Sequence, residues 1–328
     1  MSPRRTLRIL LGAVALASCL AATAAPAGAE GAKRGYVAHR DIDYDLGSTP
    51  DPVSQASANR LDLYRPRGAR KRSRPVVVWI HGGGWRRGDK RIGVSKKAEL
   101  FTRAGYVLAS INYRLSSGSF DPDRPDPARV RFPDHPHDIG EAVGWLKQNV
   151  GRYGGDRRRF VLIGHSAGAH LAALIATDPR YLRAYGVGPR RVLGFAALDA
   201  PAFDIAAGAN PATSQRSRGG REMLWNAFGT PAENAVSGAW AAGSPLTFAG
   251  PEDPPALLVT QADNELRMSE HREMALALDR NPRRVVLSLP LDHRQINHAL
   301  GSTDDLHGET AAVMDFVRRM VARARATR

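Results

Sequence analysis

The sequence predicts an α/β protein with one main domain: a mostly parallel sheet, helices on both faces, and a small insertion over the strand ends. Three observations predict it. From residue 58 onward, short β-branched or apolar runs alternate with amphipathic stretches, the pattern that builds parallel strands with crossover helices. The run "VVVWI" (76–80) is continuously apolar, as in a strand buried on both faces. The chain has 328 residues and is 43% hydrophobic, enough for one large core.

The elements follow in order. Arg4, Arg5 and Arg8 precede an apolar stretch, Ile9 to Ala22, that is short for a membrane span. This reads as an export signal over 1–29, cut after Ala27-Gly28-Ala29 and placing the mature chain outside the cytoplasm, secreted or periplasmic. A competing reading takes Leu16-Ala17-Ser18-Cys19 as a lipobox, which would anchor the protein to a membrane through Cys19. The Arg4-Arg5 pair suggests twin-arginine export. Cys19 is the single cysteine, so a mature chain cut at either site has none for a disulfide or a thiolate metal site. Residues 30–57 read as an N-terminal entry segment, and 58–328 as the main domain.

Within that domain "RLDLYRP" (60–66) alternates as a half-buried strand does. "VVVWI" ends in "HGGGW" (81–85). "SKKAELFTRAG" has helical spacing and a glycine stop. "YVLASINYRL" is the next strand, and "HDIGEAVGWLKQNV" an amphipathic helix with Ile139, Val143 and Leu146 on one side. "RFVLIGHSAG" runs from strand to turn and into a helix. "RVLGFAALDA" and "PPALLVTQAD" are buried strands, "HREMALALDR" a helix, "RRVVLSLPLDH" a strand running to His293, and "GETAAVMDFVRRMVARA" a closing helix. Residues about 204–250 break the alternation. They read as the insertion, with one short helix near "REMLWNAF". The Pro-rich loop 118–133 is expected on the same side.

The formal charge is +15, but the basic residues are scattered and no aromatic residues interleave with them. Nucleic-acid binding is therefore not the reading; arginine simply decorates the surface.

Chemistry concentrates at the carboxyl ends of the strands, where open α/β sheets bind ligands. Gly164-His165-Ser166-Ala167-Gly168 fits G-x-S-x-G between a buried strand and a helix. A sharp turn there lifts the Ser166 hydroxyl above the sheet, and the helix start aims amide N–H groups at it. The glycines of "HGGGW" let backbone amides face a substrate. Gly83, Gly84 and Ala167 N–H are the candidate oxyanion donors. A phosphate-cradling loop would need a following Lys-Ser/Thr, which "GGGWRRGDK" lacks. His81 reads as a loop organiser.

A nucleophilic serine needs a base, and the base a carboxylate, in the chain order Ser, Asp/Glu, His. Asp263 closes the strand "PPALLVTQAD" and is the candidate acid. Glu265 is a near alternative, Asp199 a weaker one, and Asp253 stands at the wrong strand end. His293 is the candidate base. Its neighbour Asp292 should diverge from it, and His298 and His307 fall beyond the strand end. His135 and His137 read as loop positions lining the entrance.

Together "HGGGW", "GHSAGAHLA", "LDHRQINHALG", "INYRL" and "AGSPLTFA" resemble the α/β-hydrolase serine esterases, in particular the branch of kynurenine formamidase-like and bacterial acetyl and feruloyl esterase-like enzymes. The likeness covers roughly residues 58–320. It implies the α/β-hydrolase fold and a serine carboxylesterase working through an acyl-enzyme, with no metal or cofactor; the export signal points to an extracellular ester, free or polysaccharide-linked, and the few bulky apolar residues of the insertion point to short acyl chains. By resemblance alone, Arg114 and Asp138 form a structural ion pair beneath the site. One departure is that the branch usually has Gly-Thr-Ala-Asp where this chain reads Thr260-Gln261-Ala262-Asp263. Two alternatives use the same scaffold: an arylformamidase-like amide hydrolase, and an inactive binding module.

Overall fold

The computed structural model describes residues 35–47, 58–68, 73–280 and 285–326. The export signal, its cleavage site and Cys19 lie outside the described residues.

Eight strands form one sheet: β1 (Tyr36–Asp43), β2 (Arg60–Pro66), β3 (Arg74–Ile80), β4 (Val107–Ile111), β5 (Gly155–His165), β6 (Val192–Leu198), β7 (Ala256–Gln261) and β8 (Val286–Leu289). Their spatial order is β1-β2-β4-β3-β5-β6-β7-β8. β2 pairs antiparallel with both β1 and β4, and every pairing from β4 to β8 is parallel. The segment read as an entry segment thus supplies a strand, β1, at the sheet edge.

The continuous apolar runs have two destinations. Val76, Val78 and Ile80 of β3 point to one face, against Ile139, Val143 and Leu146 of the helix Asp134–Asn149. Val77 and Trp79 point to the other, against Ala98 and Phe101 of the helix Val94–Arg103 and Phe316 and Val317 of the helix Glu309–Ala326. A strand whose two faces are both covered has no use for polar alternation.

Register brings the strand ends into line. Ile80 stands opposite Gly164, His165 opposite Leu198, Leu198 opposite Val259, and Gln261 opposite Leu289. The residues just past those positions are therefore neighbours in space: Gly82 to Gly84, Ser166, Asp199 and the β7 end.

The insertion holds five short helices rather than one: Ile205–Ala209, Arg218–Phe228, Pro231–Ser237, Ala239–Ala242 and Pro245–Phe248. Ser217 and Thr230 cap two of them, the latter through a capping box with Glu233. The 118–133 loop packs against this insertion through Arg129 and Arg131, which both pair with Glu233.

Two expectations are corrected here. β8 stops at Leu289, before Pro290, which cannot donate to a ladder. His293 is instead the first residue of a helix, His293–Ala299. His135 is no loop residue lining an entrance: it lies within the helix Asp134–Asn149, fully buried, bonded to the Ser116 hydroxyl at 3.0 Å. His137 lies in the same helix.

Candidate active site

Ser166 sits between β5 and the helix Ala167–Thr177 with φ 55° and ψ −124°. A non-glycine residue held there costs on the order of 1–3 kcal/mol and persists only where its surroundings enforce it. They do. A Cβ on Gly164 would lie 2.1 Å from the Gly168 carbonyl oxygen, and one on Gly168 2.1 Å from the Ile80 carbonyl oxygen. The strand-to-helix turn closes only with glycine at both positions. The Ser166 N–H is bound to the Leu198 carbonyl at 2.9 Å, which ties the turn to β6.

His293, the candidate base, meets the serine from across the sheet. His293 Nε2 is 2.9 Å from Ser166 Oγ, and its Nδ1 is 2.5 Å from Asp199 Oδ2. An ionised carboxylate only accepts, so Nδ1 carries the proton and Nε2 is free to accept from the serine. Asp292 does diverge: its carboxylate accepts from the Arg294 and Gln295 N–H groups and caps the helix that His293 opens. His298, in the last turn of that helix, and His307 are both exposed.

The acid is where the structure departs from the expectation. Asp199, one residue past β6, contacts His293; Asp263 does not. Asp263 is exposed, beyond the end of β7, where the chain turns outward into the Asn264 cap of the next helix. What β7 contributes is an amide: Gln261 Nε2 donates to Asp199 Oδ2 at 2.7 Å, with Thr260 Oγ1 donating to Oδ1 at 3.3 Å. Asp199 takes a positive φ of 52°, which Asp tolerates better than most residues, and its N–H is bound to the Val259 carbonyl at 2.7 Å. Burial works against its charge. The His293 hydrogen bond and the Arg267 guanidinium outweigh that, holding Asp199 down to about 2. Arg267 also donates to the Asp199 and Ala200 carbonyls at 2.8 and 2.7 Å, fixing the loop that carries the carboxylate. Sequence reasoning missed Gln261 and Arg267, and neither belongs to a motif.

His165 is also part of this apparatus. Its Nε2 donates to the His293 carbonyl at 2.8 Å, and the two rings lie 4.5 Å apart. Burial and the adjacent His293 pull its pKa down to about 3, so it is a neutral donor, not a second base.

Opposite the serine, Gly83 and Gly84 have φ of 117° and 62°. A Cβ on Gly83 would fall 1.9 Å from the Arg87 carbonyl oxygen, so only glycine closes this loop. Gly82 abuts the elbow: its Cβ would stand 2.9 Å from that of Ser166. Ala167 opens the helix, so no carbonyl one turn back within the helix can accept its N–H. His81 is buried, stacked on Tyr113 at 4.5 Å, and its carbonyl accepts from the Tyr113 hydroxyl. Arg114 grips Asp138 through Nε and Nη2 and through its own backbone N–H, all within 3.0 Å.

Ser166 and His293 open into a cleft of about 1060 Å³, walled by the glycine loop, Met223 from the insertion, Pro201 and the start of the His293 helix. Among the described residues, no group of three or more His, Cys, Asp or Glu side chains is arranged to hold a metal ion.

Comparisons with known proteins agree with the fold. Residues 61–185 match the family described as BD-FAE. The chain is 32% identical over 151 residues to the esterase LipC of Mycobacterium tuberculosis, an alignment covering 45% of this chain and 32% of that protein. It is 36% identical over 135 residues to a phenmedipham hydrolase of Pseudarthrobacter oxydans (41% and 26% covered), and 30% over 155 residues to the kynurenine formamidase avaC of Aspergillus versicolor (44% and 49%). The chain thus spans about a third of the length of LipC and about half that of the formamidase. Among solved structures, a carbohydrate esterase from gut microbiota superposes with a TM-score of 0.64 at 17% identity, covering 88% of this chain and 98% of that one. Esterase B of Lactobacillus rhamnosis gives 0.63 at 19%, covering 89% and 87%. The resemblance read from the motifs therefore holds, and the chain is an α/β hydrolase by fold, akin in sequence to esterases and their hydrolase relatives.

Proposed function

We propose that the protein is a serine carboxylesterase working through Ser166, His293 and Asp199, with Gly83, Gly84 and Ala167 N–H as the oxyanion donors. The observation that carries this is the continuous hydrogen-bonded path from Ser166 Oγ through both His293 nitrogens to a buried carboxylate. Ser166 Oγ attacks the ester carbonyl carbon as His293 Nε2 takes its proton. The carbonyl oxygen becomes an oxyanion facing the amides. Collapse expels the alcohol, which takes the proton back from Nε2, leaving acyl-Ser166. Water then repeats the sequence and frees the acid. Asp199 stays ionised throughout and stabilises the imidazolium.

The acyl group is short. Few apolar side chains line the cleft (Trp79, Ile92, Pro201 and Met223), while Leu224, Phe228 and Trp240 of the insertion are buried in the core. That is too little apolar wall for a long acyl chain. The leading segment 1–29 supports export, and an exported enzyme of this kind meets small or polysaccharide-linked esters. The likeness to a kynurenine formamidase keeps an aryl formamide as the second reading, since the same constellation attacks amides.

A panel of p-nitrophenyl esters tests the proposal, with N-formylkynurenine and acetylated xylan alongside. Acetyl and butyryl esters should be cleaved much faster than decanoyl ones. Ser166→Ala should lose about 10⁴–10⁶ in rate and all labelling by a fluorophosphonate. A tenth of the activity retained, or a wild-type protein that does not label, rejects it. A rate maximum at long chains rejects the short-acyl reading.

A further inference from the structure

We infer that the cleft selects esters whose alcohol part carries a carboxylate; this rests on the esterase reading above. Three arginines stand at the mouth of the cleft: Arg86 and Arg87, just past the oxyanion glycines, and Arg294, next to the base. All three are exposed. Several arginines elsewhere are neutralised by carboxylates, such as Arg91 by Asp41, Arg103 by Glu99, Arg129 by Glu233, Arg216 by Glu270 and Arg319 by Asp315, while others, such as Arg74 and Arg221, bond backbone carbonyls. Among the described residues no such pair is formed by the three at the cleft. The Arg86 guanidinium donates to the Gly118 carbonyl, at 2.9 Å. A fourth, Arg267, lies deeper and is committed to Asp199 and Ala200. The cleft wall has one carboxylate besides, Asp89, which accepts from the Asn112 amide and the Arg91 N–H.

The position of the charges names the part of the substrate. His293 must hand its proton to the leaving oxygen, so the alcohol lies on the His293 side, where Arg294 follows directly in the chain. Arg86 and Arg87 line the same cleft beyond the glycine loop. A guanidinium binds a carboxylate in bidentate fashion, and a focused positive field raises the encounter rate of an anion. An acidic sugar ester or the ester of a hydroxy acid fits; a neutral alcohol leaves the three charges unused.

The test compares 3-acetoxybenzoate with 3-acetoxybenzamide, each rate divided by its own rate with hydroxide. At low ionic strength kcat/KM should favour the anion by about tenfold or more, and molar salt should remove most of the preference. The double variant Arg87→Gln/Arg294→Gln should bring the ratio close to one. Arg157→Gln/Arg158→Gln, which removes the same net charge at the amino end of β5, should leave the ratio unchanged. A wild-type ratio near one overturns the inference while leaving the esterase reading intact. So does a ratio that survives the cleft variant, or one that falls equally in the remote variant. If neither ester is cleaved and Ser166 does not label, the esterase reading fails, and calorimetry decides the anion site separately. Tighter binding of 3-hydroxybenzoate than of 3-hydroxybenzamide, lost in the cleft variant, sustains it; equal binding removes it.

Discussion

Replacing Asp199 by Asn would keep the shape of the side chain and remove the acceptor that fixes the His293 tautomer. An amide can present its NH₂ to Nδ1, which pushes the imidazole proton to Nε2, where it blocks the serine. The expected loss is about 10³–10⁴ in kcat on p-nitrophenyl acetate. Asp263→Asn should keep most of the wild-type rate, because Asp263 is exposed and lies apart from His293. The opposite ranking of the two variants would return the acid to β7. That Ser166, His293 and the glycine loop would come together was legible because each sits in a local pattern with a mechanical reason. The acid was not. Two strands, β6 and β7, each end in a carboxylate, and chain order allows either. The choice depends on how far each strand runs before its chain turns away, and on Gln261 filling from β7 the place beside Asp199. That is information about register between strands, which no single segment carries. The pH consequence follows from the depressed pKa of Asp199. Its ionised form contributes stability above the unfolded carboxylate value, and that contribution is lost only as pH falls toward about 2. Asp199 therefore does not set the acid limb of the activity profile.

At the scale of elements, the helix His293–Ala299 is what aims the proposed base, and it is short. A helix of seven residues has little stability of its own, so its ends matter. At its start, Asp292 and Gln295 form a capping box. Toward its end, the buried Lys97 ammonium donates to the Asn297 carbonyl at 2.8 Å while lying over the Trp79 ring. Asp292→Ala should destabilise the protein by about 1 kcal/mol in urea unfolding and lower kcat more than it raises KM. Asp292→Asn should restore most of both. A stability loss with no change in kcat would show that the cap does not position His293. The capping box was present in the sequence as Asp-His-Arg-Gln, two residues after Pro290, and those two signals mark a strand stop and a helix start. Extending the strand to His293 placed that residue on the wrong element. β1 was hidden for a different reason. At the sheet edge, it pairs on one side only, and its pattern is mixed rather than apolar.

At the scale of the whole molecule, the closing helix Glu309–Ala326 seals the face of the sheet that carries Trp79, and it starts from a carboxyl group in an unfavourable place. Glu309 is fully buried, and neither of its side-chain oxygens has a hydrogen-bond partner. Burial pushes its pKa up to about 8; the nearby Asp305 charge adds to this and Lys97 opposes it. The sign follows from proton counting. Between about pH 4.5 and about pH 8 the unfolded chain has released this proton while the folded chain keeps it. The folded state binds more protons, so stability falls as pH rises through that window and levels off above it. Glu309→Gln removes the ionisation and keeps a polar group of the same shape. The variant should match the wild type in urea unfolding near about pH 4 and exceed it by on the order of 1–3 kcal/mol near about pH 9, with the difference opening across the window. A constant difference at all pH values would mean that Glu309 is already ionised at neutral pH, held so by Lys97. A difference of opposite sign would mean that the charged pair stabilises the fold.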